Sequence, residues 1–66
     1  MEVKCRLRVV LAEKEMRLTE LASKTKLNYS YLSDLMNERR EPGVRNAMII
    51  AKELNVTVEG IWKLKA

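Results

Sequence analysis

The side chains of this 66-residue chain that could do chemistry favour binding over catalysis. The sequence has no histidine, one cysteine (Cys5) and no glycine-rich phosphate loop, whereas general acid–base catalysis near neutral pH most often uses histidine. A zinc site needs more nitrogen or thiolate ligands than Cys5 can supply. We therefore expect no catalytic residue, no metal site and no cofactor. A domain this small also has little room for a pocket that encloses a small-molecule ligand.

The remaining chemistry is that of charge and hydrogen bonding. Lys and Arg number 13 against 9 Asp and Glu, a net charge of +4, which fits a nucleic-acid partner but does not establish one. One cysteine cannot form a disulfide within the chain, and a reducing, cytoplasmic setting is expected. The longest apolar run, Ala47–Ala51, is far shorter than the roughly 20 residues that span a bilayer, and no signal peptide is recognisable. We expect no membrane partner.

The apolar residues repeat at helical spacing, which predicts an all-α fold in a single domain, residues 1–66. Four apolar stripes precede a short fifth segment at Ile61, Trp62 and Leu64. The fourth stripe is the widest and contains Val44, Ala47, Met48, Ile50, Ala51 and Leu54. The alternation of polar and apolar residues from Glu2 to Leu7 also permits a short strand, which could pair with Lys63–Lys65.

Capping and breaking residues mark the expected helix ends. Asn28 and Thr57 are suited to N-caps, and Asn55 tolerates the left-handed conformation that ends a helix. Glu41-Pro42-Gly43 separates the third helix from the fourth, with Gly43 or a neighbour starting the latter. The first helix is expected to end near Lys14–Met16, without a glycine stop.

Residues 17–40 predict two short helices joined by a tight turn. The second helix of the domain covers about 17–25, the turn is Lys26-Leu27-Asn28, and the next helix covers about 29–37. Ala22 lies where the two helices would cross, and its small side chain permits close approach. These are the requirements of a DNA-binding helix–turn–helix.

In this register the chain resembles the phage-repressor/Cro-type helix–turn–helix, the XRE family. The resemblance extends over about Val3 to Leu64. The matching positions are Glu20-Leu21-Ala22, Lys24-Thr25, Leu27-Asn28, Ser30-Tyr31-Leu32-Ser33-Asp34-Leu35, Asn37, Arg39-Arg40, Pro42 and Ile50-Ala51-Lys52-Glu53-Leu54-Asn55-Val56. The resemblance implies a five-helix DNA-binding domain of the lambda-repressor-like type. It also implies a prokaryotic or mobile-element regulator that binds operator DNA, usually as a two-fold dimer.

Three positions depart from the family pattern. Glu38 follows Asn37 where the family usually has glycine, so Asn37 or the Asn-Glu pair must make the turn. Arg17 stands near the position of a Ser or Thr cap. Leu11 and Met36 occupy the positions of an Arg–Glu pair in many members, so an apolar contact replaces an ion pair there.

The resemblance also implies which side chains meet DNA. The N-terminal half of the recognition helix enters the major groove, which would expose Asn28, Tyr29, Ser30, Ser33, Asp34 and Asn37. The serines can bond several bases, Asp34 can accept from cytosine, and Tyr29 can contact a thymine methyl or a phosphate. Alternatively, Asp34 pairs with Arg39 or Lys26 and orients that cation.

Phosphate contacts are expected from cations around the recognition helix. These are Arg17, Lys24 or Lys26, Arg39 and Arg40. The ring of Tyr31 is expected to pack against the second helix and its hydroxyl to reach a phosphate. Such contacts position a protein on DNA and carry little sequence information.

A dimer interface is predicted at Ile49 and Trp62. Ile49 falls off the core stripe of the fourth helix, and tryptophan is enriched in interfaces. Alternatively, Trp62 closes the core of the monomer itself, and both can hold. A two-fold dimer would place two recognition helices about 34 Å apart, which suits an inverted repeat with half-sites about 10 bp apart.

Two functions remain open from the sequence. The first is a sequence-specific regulator of transcription that binds double-stranded DNA, in the form of a dimeric repressor. The second is a small protein-interaction module that kept the helix–turn–helix fold without specific DNA binding, because Asp34, Glu38 and Glu41 dilute the positive field. Salt dependence of DNA binding separates the two.

Overall fold

A computed structural model describes residues 2–65, which form five helices and a pair of strands. The elements in chain order are β1 (Glu2–Cys5), α1 (Leu7–Glu13), α2 (Leu18–Thr25), α3 (Tyr29–Met36), α4 (Val44–Leu54), α5 (Val58–Ile61) and β2 (Trp62–Lys65). The predicted five-helix fold with a short strand pair is confirmed.

The two strands lie antiparallel and bring the two ends of the described chain together. Val3 is opposite Leu64 and Cys5 is opposite Trp62, so one face of the pair is apolar. The other face carries four charged residues, with Glu2 opposite Lys65 and Lys4 opposite Lys63. A hydrogen bond of 2.7 Å from the Arg6 amide to the Ile61 carbonyl continues the pairing into the helical part.

All the helices contribute to one small hydrophobic core. No polar or charged side chain of residues 2–65 is buried in it. Its members are Leu7, Val10, Leu11, Leu18, Leu21, Leu32, Leu35, Ala47, Ile50, Ala51, Leu54, Ile61 and Trp62. Leu11 belongs to this core and Met36 packs against it, so apolar side chains occupy both positions where the resemblance implies an ion pair in many relatives.

The predicted caps are confirmed. The side chain of Asn28 accepts hydrogen bonds from the amides of Ser30 and Tyr31 at 2.8 and 3.3 Å. Thr57 accepts from the amide of Gly60 at 3.0 Å. Asn55 ends α4 with φ 57°, and Gly43 is the N-cap of the same helix.

Two members of the fourth apolar stripe, Val44 and Met48, lie outside the core. Their side chains are 79% and 60% exposed, and Leu64 of β2 is 66% exposed. Met48 lies about 100° around the helix from the buried Ala47. The apolar stripe of α4 is therefore wider than the face that the core covers, and its outer edge faces solvent.

Candidate nucleic-acid interface

A left-handed residue makes the turn between α2 and α3. Lys26 has φ 61° and ψ 24°, which reverses the chain after one residue. The hydroxyl of Thr25 donates to the Leu21 carbonyl at 2.7 Å and accepts from the Leu27 amide at 3.3 Å. Together with the Asn28 cap, these bonds fix the angle at which α3 leaves the turn.

Helix α3 has one face in the core and one in solvent. Leu32 and Leu35 are fully buried, whereas Ser30 is exposed and Tyr29 is 50% exposed. Eight residues of α-helix are about 12 Å long, and the major groove of B-DNA is about 12 Å wide. The buried leucines thus anchor a helix whose length matches the width of the groove. Its N-terminal end presents polar side chains to solvent.

Asn37 at the end of α3 is held by hydrogen bonds within the protein. Its side-chain amide donates to the Ser33 carbonyl at 2.9 Å and lies 3.4 Å from the Ser33 hydroxyl. The side-chain oxygen of Asn37, Oδ1, accepts a hydrogen bond from Arg8 Nη2 at 3.0 Å. Arg8 thus joins α1 to the end of α3, a contact between exposed polar residues 29 positions apart that no sequence pattern signals.

Asp34 forms an ion pair with Arg39. Arg39 Nε donates to Asp34 Oδ1 at 3.1 Å, and both side chains are partly exposed. Of the two cations that the sequence suggested for Asp34, the structure pairs it with Arg39. An exposed pair of this kind contributes little to stability, but it offsets the negative charge on the α3 surface and orients Arg39.

Tyr31 connects α3 to the following loop and to α4. Its half-buried ring packs against the core, and its hydroxyl accepts a hydrogen bond from Asn46 Nδ2 at 3.0 Å. The guanidinium carbon of Arg40 lies 5.3 Å from the ring centroid. Sequence reasoning included Tyr31 and Arg40 and missed Asn46, because residues 15 positions apart on different helices show no common period.

The loop after α3 turns at Glu38, which has φ 60°. In this conformation the Cβ of a non-glycine residue is crowded. The turn that relatives make with glycine is therefore made here by a glutamate whose exposed side chain reaches solvent.

The remaining cations surround α2. Arg17, Lys24 and Lys26 are exposed. Arg17 is the N-cap residue of α2 and forms no side-chain capping hydrogen bond within the described chain. The first amides of α2 therefore lack a side-chain acceptor, and the start of a helix favours anions.

Comparison with known protein families agrees with this geometry. A family model described as helix-turn-helix matches residues 7–61, a range that contains all five helices. The chain belongs to this family. It is a DNA-binding helix–turn–helix regulator of the phage-repressor/Cro type, a family of non-enzymatic domains. No curated protein matches the chain.

Residues 2–65 of the helix–turn–helix domain contain neither a membrane-spanning helix nor a metal-binding cluster. None of its helices is long and apolar enough to cross a membrane. The same residues contain no group of three or more His, Cys, Asp or Glu side chains placed to hold a metal ion.

The two residues expected at a dimer interface differ in exposure. Ile49 is half-buried, and Trp62 is 8% exposed and belongs to the core of the domain. The indole N–H of Trp62 has no hydrogen-bond partner among residues 2–65. Trp62 therefore closes the monomer core, which was the alternative expectation for it.

An exposed apolar surface lies next to Trp62. A groove runs in this surface, and Trp62 lines part of it. We call it the α4 apolar surface and define it by Pro42, Val44, Met48, Val3 and Val58, all of which line the groove. Leu64 lies opposite Val3 on the same face of the strand pair.

Proposed function

We propose that this regulator is a sequence-specific repressor that binds an inverted-repeat operator as a two-fold homodimer in the cytoplasm. The observation that supports it most directly is the division of α3 into a buried leucine face and an exposed polar N-terminal end. A rigid helix anchored in this way can hold its side chains in the major groove in one register.

The base contacts in this proposal come from the exposed end of α3. Tyr29 and Ser30 are the main candidates, because they are the most exposed residues of its first turn. Ser33 and Asp34 follow one turn later, with Asp34 acting mainly through Arg39. Asn28 and Asn37 lie at the two ends of α3. The side-chain oxygen of Asn28 caps the helix, and its NH2 group can reach a base or phosphate. The NH2 group of Asn37 already donates to the Ser33 carbonyl.

The phosphate contacts come from the surrounding cations and from Tyr31. Arg17 and Lys26 lie at the two ends of α2, and Arg39 and Arg40 lie in the loop after α3. A dimer that neutralises about eight phosphates would show a slope of log K against log salt near −7.

Size and surface support a dimer. The domain measures 33 Å in its longest direction, about the length of one helical turn of DNA, so one copy covers about one half-site. A standard interface buries about 800 Å² per partner, about a sixth of the 4731 Å² surface of this domain. The α4 apolar surface, with Trp62 lining its groove, is the part of the molecule best suited to supply that area.

Selection of binding sites from a random pool of duplex DNA tests the proposal. We expect enrichment of an inverted repeat with half-sites about one helical turn apart. An enriched single half-site would retain the sequence-specific regulator and remove the dimer. Weak, salt-sensitive binding to every sequence would remove the specificity, and no binding at low salt would favour a protein-interaction module.

Substitution of Tyr29 tests the placement of α3. We expect Tyr29→Ala to change the preferred base at one position of each half-site, because base contacts carry the sequence information. If the variant keeps both the preference and the affinity of the wild type, the proposed placement of α3 in the groove is wrong.

A further inference from the structure

Tyr31 is the meeting point of three segments of the chain. Asn46 of α4 donates to its hydroxyl oxygen at 3.0 Å. Arg40, from the loop between α3 and α4, lies over its ring with the guanidinium carbon 5.3 Å from the centroid. An aromatic ring, a cation and an amide are thus held together on one side of the recognition helix.

The hydrogen bond from Asn46 determines what the Tyr31 hydroxyl can do. A phenol oxygen has one proton to donate and lone pairs to accept. The amide of Asn46 uses a lone pair, and the hydroxyl proton has no acceptor among residues 2–65. The hydroxyl proton is therefore available to donate to an acceptor on a bound ligand.

Arg40 retains its full charge and its hydrogen-bond donors. Its distance from the Tyr31 ring is within the range of a cation–π interaction, about 6 Å. Glu38 and Glu41 line a small cavity beside it, but within residues 2–65 neither forms an ion pair with Arg40. The ring therefore holds the guanidinium in place while leaving its N–H groups free.

We propose that Tyr31 and Arg40 bind one backbone phosphate of the operator and that Asn46 is the positioning residue for this clamp. The clamp rests on the proposed function, since its ligand is the DNA of that complex. A phosphate oxygen only accepts hydrogen bonds, and charged, convergent donors bind it best. Asn46 acts through Tyr31 by keeping the hydroxyl proton directed outward.

A double-mutant cycle on one operator duplex tests the role of Asn46. We expect Tyr31→Phe and Asn46→Ala each to weaken binding about tenfold per protomer, because each protomer loses one hydrogen bond to a charged group. In the Tyr31→Phe background, Asn46→Ala should cause no further loss. Thermal unfolding of each free variant is measured alongside, because a simple tie between helices would lower Tm and leave the DNA affinity of the folded protein unchanged.

The salt dependence separates the two members of the clamp. Tyr31→Phe removes a neutral donor and should leave the slope of log K against log salt unchanged, whereas Arg40→Ala should flatten it by about one per protomer. The matched control is Lys63→Ala, which removes an exposed cation from β2 and should leave the slope unchanged.

Asn46→Asp tests the direction of the hydrogen bond without deleting the contact. The carboxylate can only accept hydrogen bonds. The Tyr31 hydroxyl would therefore donate to the introduced carboxylate and no longer to the phosphate. We expect weaker binding than for Asn46→Ala. The same substitution in the Tyr31→Phe background measures the effect of the added negative charge alone on DNA affinity. The loss of affinity should be larger when Tyr31 is present.

Two results would overturn the clamp, and they differ from each other. If the wild type binds the operator and the Asn46 and Tyr31 variants bind as tightly, or their losses simply add, the clamp is wrong and the proposed function stands. If the wild type binds no DNA at low salt, the proposed function fails and the clamp fails with it.

Discussion

At the scale of single residues, the loop after α3 stores backbone strain. Glu38 has φ 60°, a region that glycine enters without the steric cost that a Cβ imposes. We expect Glu38→Gly to raise the free energy of unfolding by about 1 kcal/mol, which corresponds to roughly 4–8 °C in Tm for a domain of this size. Thermal unfolding followed by circular dichroism measures the change.

A neighbouring glutamate provides the control for this substitution. Glu41 is also exposed and lies in the same loop, but its φ is not positive. Glu41→Gly removes the same charge without relieving strain and should leave stability unchanged or lower it. Equal stabilisation by both variants would assign the gain to charge instead of backbone conformation.

Cys5 gives the domain a pH dependence at alkaline pH. Burial raises the pKa of its half-buried thiol, and the carboxylate of Glu38 adds to the increase, while the nearby polar groups of Leu7 and Trp62 oppose it. Because the folded pKa lies above that of the unfolded thiol, about 8.5, this contribution to stability is complete below that pH and is lost as pH rises toward the folded value.

Alkylation of Cys5 measures this shift. We expect the rate of reaction with iodoacetamide to rise with pH later in the native protein than in the protein unfolded in urea, since the thiolate is the reactive species. Cys5→Ser should remove the alkaline loss of stability. Identical rate profiles in the native and unfolded states would contradict the raised pKa.

At the scale of helices, one residue at the start of α2 cannot both cap the helix and contact a phosphate. Arg17 occupies the N-cap without a side-chain capping bond, whereas Ser, Thr, Asp and Asn stabilise this position. We expect Arg17→Ser to raise the free energy of unfolding by about 0.5–1 kcal/mol and to flatten the salt slope of DNA binding by about one per protomer. Denaturant unfolding and binding titrations measure the two effects.

Lys14→Ser is the matched substitution for this test. Lys14 is an exposed cation at the end of α1, so its replacement changes the charge equally and creates no cap for α2. It should leave the stability and the slope close to those of the wild type. If Arg17→Ser binds DNA with the wild-type slope, Arg17 does not contact phosphate.

The helices and their ends could be predicted from the sequence because their signals are local. Caps such as Asn28 and Thr57 act within three residues, and an apolar stripe shows which face of a helix avoids water. A stripe does not show whether another element covers it. Val44 and Met48 belong to the apolar stripe of α4 and yet lie in solvent, because no other element of residues 2–65 covers them.

Side-chain ties between helices could not be predicted for a different reason. The hydrogen bonds of Arg8 with Asn37 and of Asn46 with Tyr31 join residues 29 and 15 positions apart. Polar residues on helix surfaces are common, and their partners depend on how the helices cross. The candidate site was therefore predicted residue by residue, but the contacts that orient Tyr31, Asn37 and Arg40 required the structure.

At the scale of the whole molecule, the α4 apolar surface is the feature that the monomer leaves unexplained. On the proposed dimer, we expect Val44→Glu to sediment as a monomer and to bind the full operator more weakly, because the interface would bury a charge without a partner. Val44 is 79% exposed in the monomer, so the fold should persist. Sedimentation and operator titration measure both changes.

Val9→Glu serves as the comparison for the dimer test. Val9 is an exposed apolar residue on α1, outside the α4 apolar surface, and its replacement should leave both sedimentation and operator binding unchanged. If Val44→Glu and Val9→Glu sediment alike as dimers, the interface lies elsewhere on the domain.

The strand pair at the ends of the chain also sets the order of events during synthesis. Residues 2–5 pair with residues 62–65, the longest loop closure in the described chain, and such non-local contacts form slowly. Residues 2–5 are synthesised long before residues 62–65, so β1 has no pairing partner and the core lacks Trp62 until β2 has left the ribosome.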